Sequence, residues 1–222
     1  MQKASSFDLK KWLDRVVEEG IRFPLYMMGK PFKAFSDIKY EGRGSVPACV
    51  VFMLMLMLLS IMRQSYTGAV FVEVEPRYMN IWMVMMGALA QTVLLVAANW
   101  SVSVLTNGSG SAREIFMVAM YAQYPYIWLS ALYLALSHVL SLNEAALLNF
   151  CLALGLVCTL FYGFIGLVSV HGFGFFQGIA SVVLTIIALV IIIFIILLLV
   201  MMVSELGAFL STVWEEIVLH YF

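Results

Sequence analysis

Three cysteines and three histidines are the side chains in this chain best suited to chemistry, and their spacing argues against most of it. Cys151 and Cys158 stand seven residues apart, on one face of any helix that carries them. A metal or redox pair has that geometry. No third ligand lies nearby, so small apolar packing residues are the favoured reading. Cys49 stands alone, and His138, His171 and His220 fall in separate segments. Intramembrane hydrolysis or lipid transfer needs paired carboxylates, a Ser/Lys pair or clustered histidines. No Asp or Glu lies in the long apolar stretches of the sequence. The expectation is a protein that is not an enzyme and has no catalytic, cofactor or metal site.

The densest polar group in an apolar setting is Tyr121, Gln123, Tyr124, Pro125, Tyr126 and Trp128. Pro125 removes a helix hydrogen bond and frees a carbonyl, which predicts a kink. Tyr121, Tyr124 and Trp128 share a face, and Gln123 points elsewhere. One reading is a kinked, polar-lined cavity for a lipid or small amphiphile. The favoured reading is interior hydrogen bonding and aromatic packing, since a glutamine at that depth marks helix–helix contact. Gly155, Thr159 and Gly163 recur every four residues, a ridge of small side chains that lets another helix approach closely. Its partner is either another span of this chain, the commoner case, or a second protein.

The elements that carry these residues are membrane spans. Residues 44–62, 78–112, 115–143 and 145–204 contain no Asp, Glu, Lys or Arg. A span needs about 20 mainly apolar residues. The last stretch is divided by His171–Gly178, which gives five spans near 46–64, 79–104, 114–137, 145–168 and 179–203. Composition agrees: 64% of residues are hydrophobic and 11% charged, with a mean hydropathy of +1.01. Soluble domains run at about 45–50% and about 25%. The fold class is therefore all-α, a polytopic membrane protein with five transmembrane helices and an amphipathic helix at each end. Three regions follow: a segment at 1–43, a membrane domain at 44–204 and an interfacial tail at 205–222.

Charge sets the orientation. Nine of the 12 Lys and Arg fall within residues 1–43, and Lys30, Lys33, Lys39 and Arg43 flank the first span. The positive-inside rule puts the amino terminus in the cytoplasm, and five spans put the carboxy terminus outside. The expected place is the cell membrane. Without a continuous apolar run in the first 45 residues, no cleavable leader is expected. Leu9, Trp12, Leu13, Val16 and Val17 form one apolar stripe on a helix over 5–19, which Gly20 is expected to stop. Such a stripe meets a protein or lies among headgroups, and docking on a protein, or packing on the chain's own cytoplasmic face, is favoured over lipid binding alone. Leu206, Phe209, Leu210, Val213, Trp214 and Ile217 make the tail amphipathic in the same way.

Several motifs occur in a telling order. Pro31-Phe32-Lys33-Ala34-Phe35 precedes a glycine-rich step into the first span. Gly108-Ser109-Gly110-Ser111-Ala112-Arg113-Glu114 opens the third. Tyr121-Ala122-Gln123-Tyr124-Pro125 follows, and His171-Gly172 precedes the last span. In order and spacing the chain resembles the Yip1-domain family over about residues 24–203. Gln177-Gly178 departs from the basic-Ala pair common there. The resemblance implies five spans with a cytoplasmic amino terminus. Eukaryotic members look like membrane-trafficking adaptors that engage small GTPases through longer cytoplasmic tails, so for this chain it implies a fold more than a function. The short amino-terminal segment looks more like that of bacterial members.

Three functions stand in order of preference. The first is a non-catalytic scaffold or accessory subunit that docks on another integral membrane protein, for example a transporter complex. The second is a membrane-shaping or lipid-organising protein. The third is a small permease for a neutral solute, which the lack of an internal repeat and of a charged midplane group disfavours. Membrane lipids are expected partners in every case, and nucleic acid in none.

Overall fold

The computed structural model describes residues 17–71 and 80–221. Helix α1 is described from its π-helical turn, Glu18–Arg22, and runs straight into α2 (Phe23–Gly29). Gly20 therefore does not stop the helix. Pro24 explains the wide turn: its ring would press on the carbonyl four residues back, so the backbone loosens and Phe23 N–H reaches Glu18 O instead. Leu9, Trp12, Leu13 and Val16 lie outside the described residues, and Val17 is exposed. Helix α3 (Pro31–Tyr40) has proline at its first turn and buries Ala34, Phe35 and Ile38.

The five spans follow. They are α4 (Val46–Tyr66), α5 (Ile81–Leu105), the broken pair α6 (Ala112–Ala122) and α7 (Tyr124–Ser137), α8 (Ala145–His171) and α9 (Phe175–Tyr221). All five are long and apolar enough to cross a membrane, and among the described residues there is no strand. The starts of α4, α5 and α6 are fixed by side-chain caps. Ser45 caps α4 by accepting from Ala48 N–H, and Asn80 caps α5 by accepting from Met83 N–H. Ser111 and Glu114 close a reciprocal capping box on α6. Helix α8 ends where Gly172 turns left-handed, at φ 71°.

The third span is the centre of the bundle: 61% of its most apolar stretch is buried, against at most 22% in the other four. Helix α8 packs along α6 and α7, α4 along α5, α6 and α7, and α9 along α5. Helix α3 lies on α8, and α2 lies on α3. Tyr121, Phe35, Met27, Ile115 and Met120 are the largest side chains sealed in the core where these elements meet. At the other end of the third span, Gly68 sits on the last turn of α7. Its N–H donates to Ser137 Oγ at 3.1 Å, and a Cβ there would lie 2.0 Å from Ser137 O, so only glycine fits.

The carboxy-terminal tail is not a separate element. Helix α9 runs unbroken for 47 residues through residue 204, about 70 Å at 1.5 Å per residue. No proline follows Pro125, and Gly207 alone near the junction costs too little to end a helix this apolar. Packing on the bundle ends early: from Ile193 through Thr212 every side chain is exposed.

Candidate functional site

The break in the third span falls at Gln123, one residue before α7. Pro125 has no N–H to give to Tyr121 O. The chain tightens there, and Gln123 N–H bonds to both Met120 O and Tyr121 O before α7 resumes. The kink residues then separate in role. Tyr121 is sealed in the core and ties two amino-terminal segments together. Its oxygen accepts from Ser45 N–H at 3.2 Å, and its hydroxyl donates to Glu19 O at 3.3 Å. Phe23 and Phe52 meet its ring edge-on. Tyr124 is buried against Phe52, and the proline is buried as well. Gln123 does not mark a helix–helix bond: its amide donates to Ala119 O on its own helix, at 3.1 Å.

The small-residue ridge turns inward. A Cβ on Gly155 would lie 2.9 Å from the Tyr126 ring and 3.3 Å from the Tyr126 backbone, so α7 and α8 touch there. Thr159 donates to Gly155 O, within its own helix. Gly163 is looser, with only Ala122 Cβ at 3.9 Å. The closest approach is at Gly166, where a Cβ would lie 2.5 Å from Val118 and 3.0 Å from Phe35. Cys151 is buried and Cys158 half-buried, both as free thiols. Among the described residues no three His, Cys, Asp or Glu gather closely enough to hold a metal ion.

Two arrangements stand out that the sequence reading missed. The first surrounds His171, which is buried. Gly110 N–H donates to its Nδ1 at 3.2 Å, so the proton sits on Nε2, which meets Asn99 Oδ1 at 2.9 Å. Asn99 Nδ2 donates to Thr185 Oγ1 at 3.0 Å, and Thr185 donates to Ser181 O. Phe173 stacks on the imidazole. Gly108 and Gly110 leave room for the ring, since a Cβ on either would lie within 2.8 Å of it. Lys39 Nζ bonds to Ser109 Oγ and to Val170 O, and Gln177 bonds to Thr106 O. Helix α3, the 106–111 turn and the α8–α9 turn are thereby clasped together. With both nitrogens engaged, the histidine is a brace. An Asn in α5 and a Ser/Thr pair four apart in α9 were the available signals, but no local pattern pairs them.

The second is a cavity of about 490 Å³ at the elbow between α1 and α4. Glu18, Glu19 and Arg22 form one wall; Gly42, Arg43 and Gly44 form the other, with Phe23 and Tyr26 below. Gly42 and Gly44 both take positive φ, 64° and 81°, which turns the chain sharply into α4. At Gly42 a Cβ would meet nothing within 4 Å, whereas at Gly44 it would crowd Tyr121 at 3.1 Å. Buried Asp37 accepts from Tyr26 Oη at 3.2 Å and from Arg43 at 3.4 Å. Arg43 also pairs with Glu41, and Arg22 with Glu18.

The family model described as Yip1 domain matches residues 25–210. The chain belongs to the Yip1 domain family. The match takes in α3, the first four spans, α9 as far as residue 210 and both turns of the His171 clasp. In this Yip1-domain protein the Pro31–Phe35 motif opens α3, and its Ala34 and Phe35 are buried while Phe32 and Lys33 are exposed. The Gly108–Glu114 motif is the lid over His171 and the cap of α6. No curated protein and no solved structure matches the chain.

Proposed function

We propose that this protein is a non-catalytic membrane scaffold that docks on a partner membrane protein, and that α9 is the docking element. One observation carries the reading. Helix α9 leaves the bundle after its first third and continues about 25 Å past residue 204, at 1.5 Å per residue, well beyond a bilayer core of about 30 Å. On that projecting part Leu206, Phe209, Leu210, Trp214 and Ile217 are exposed along one face. Water is a poor neighbour for such a stripe. Glu205, Glu215 and Glu216 accompany it, and no Lys or Arg follows Arg113. An acidic helix is repelled by an anionic bilayer and suits a protein groove with basic edges. The glycine ridge does not compete for this role, because it is engaged within the chain.

Face-specific photo-crosslinking in intact membranes tests the reading. Probes at Leu206, Leu210, Val213 and Ile217 are expected to give a discrete protein adduct. Probes at Ala208, Ser211 and Glu215, on the opposite face, are expected to give none. Adducts to lipid alone from all seven positions would refute docking and favour a lipid-organising protein.

A further inference from the structure

We propose that the elbow cavity receives the headgroup of a zwitterionic phospholipid bearing a primary amine, with phosphate on Arg22 and Arg43 and ammonium on Glu18 and Glu19. The inference is independent of the role of α9.

Depth comes first. The far wall, Gly42–Gly44, ends one residue before the cap of α4, and Val46 is the first residue of the first span. The cavity therefore lies where headgroups lie, at the edge of the hydrocarbon. Its volume suits one headgroup rather than a whole lipid, and acyl chains would run down the apolar flank of α4, where Val50, Val51 and Leu54 are exposed.

Charge comes second. The lining carries two guanidiniums and two carboxylates, and behind it Arg43 also pairs with Asp37 and Glu41. A purely anionic headgroup would face Glu18 and Glu19 uncompensated, and a cation alone would face Arg22 and Arg43. A zwitterion answers both. A primary ammonium has three N–H donors for the carboxylates, whereas a quaternary amine has none. Phosphate suits the two guanidiniums, which present paired N–H donors.

Availability comes third. The Arg22–Glu18 pair is exposed on both sides, and such pairs are weak and readily exchanged. Arg43 is more than half exposed. If it swings to a phosphate, Asp37 keeps the Tyr26 hydroxyl and is not stranded. Tyr121 holds the two walls in register by bonding Ser45 and Glu19 at once.

The test is native mass spectrometry of the full-length protein released from nanodiscs of equimolar phosphatidylethanolamine, phosphatidylcholine and phosphatidylglycerol. The expected result is one retained phosphatidylethanolamine, favoured about tenfold over the other two, a modest difference in binding free energy. The double variant R22Q/R43Q should lose that lipid. The double variant E18Q/E19Q should shift the preference to phosphatidylglycerol, an outcome that mere loss of folding does not produce. Equal retention of all three lipids, or a preference that survives R22Q/R43Q, would overturn the proposal. So would displacement of the bound species by soluble glycerophosphoethanolamine at micromolar concentration, which would make the ligand a solute and not a lipid.

Discussion

Asn99 is a carboxamide inside an apolar helix, and its cost is met by two partners from distant parts of the chain. Leucine has the same branching, with two bulkier methyl groups, but offers His171 no acceptor. Asn99→Leu strands a buried imidazole N–H, so it is expected to destabilise the fold by about 1–3 kcal/mol. Thermal unfolding in mild detergent measures it. Adding Thr185→Val to that variant should cost less than it does alone, because its bond to Asn99 is already gone and only the bond to Ser181 O remains to be lost. Strictly additive losses would mean that the three side chains do not act together. Tyr121→Phe makes a parallel case. It removes the acceptor for Ser45 N–H and the donor to Glu19 O. The expected effect is faster amide exchange across Glu18–Phe23 with the spans unchanged, read by hydrogen–deuterium exchange. Unchanged exchange would show that Phe23 packing alone holds α1.

At the scale of helices, the contact of α8 with its neighbours turns on which glycine lies at the crossing. Gly166→Ala drives a methyl toward Val118 and Phe35 in a closed core and is expected to cost roughly 1–3 kcal/mol. Gly163→Ala meets only Ala122 at van der Waals distance and should be neutral, or stabilising by roughly 0.5–1 kcal/mol through helix propensity. Melting temperatures of the two variants decide it, and the reverse order would place the crossing at Gly163. The four-residue ridge was legible in the sequence, whereas the closest contact lay one turn further along at Gly166. Spacing states which side chains share a face, not how deep each sits. The same limit explains the other successes and misses. Ser111 to Glu114, Pro125 and the apolar lengths are local signals, and all appear as a capping box, a broken helix and five spans. Asn99, His171 and Thr185 are separated by 72 and 86 residues, and no periodicity joins them. The continuity of α9 was missed because Glu205 and the return of amphipathicity mimic a boundary, although nothing at 200–210 stops a helix.

For the whole molecule, the lopsided charge makes a topological forecast. Nine basic residues before the first span predict a cytoplasmic amino terminus, and five spans then predict that the end of α9 lies outside. In a cysteine-free background, a single cysteine at Ser211 should react with an impermeant maleimide in intact cells, and one at Lys30 should react only after permeabilisation. Labelling of both from the same side would show that one apolar helix does not cross. The Asn99–Thr185 bond also has a consequence in time. A ribosome adding about 5–20 residues per second places Thr185 roughly 4–17 s after Asn99, given the 86 residues between them. Until then the amide of α5 sits in the nascent bundle without its hydroxyl partner. That delay is long beside helix association, so a half-made chain carries a polar flag that only arrival of the last span removes. Truncation anywhere before α9 would leave the flag raised and the product open to membrane quality control.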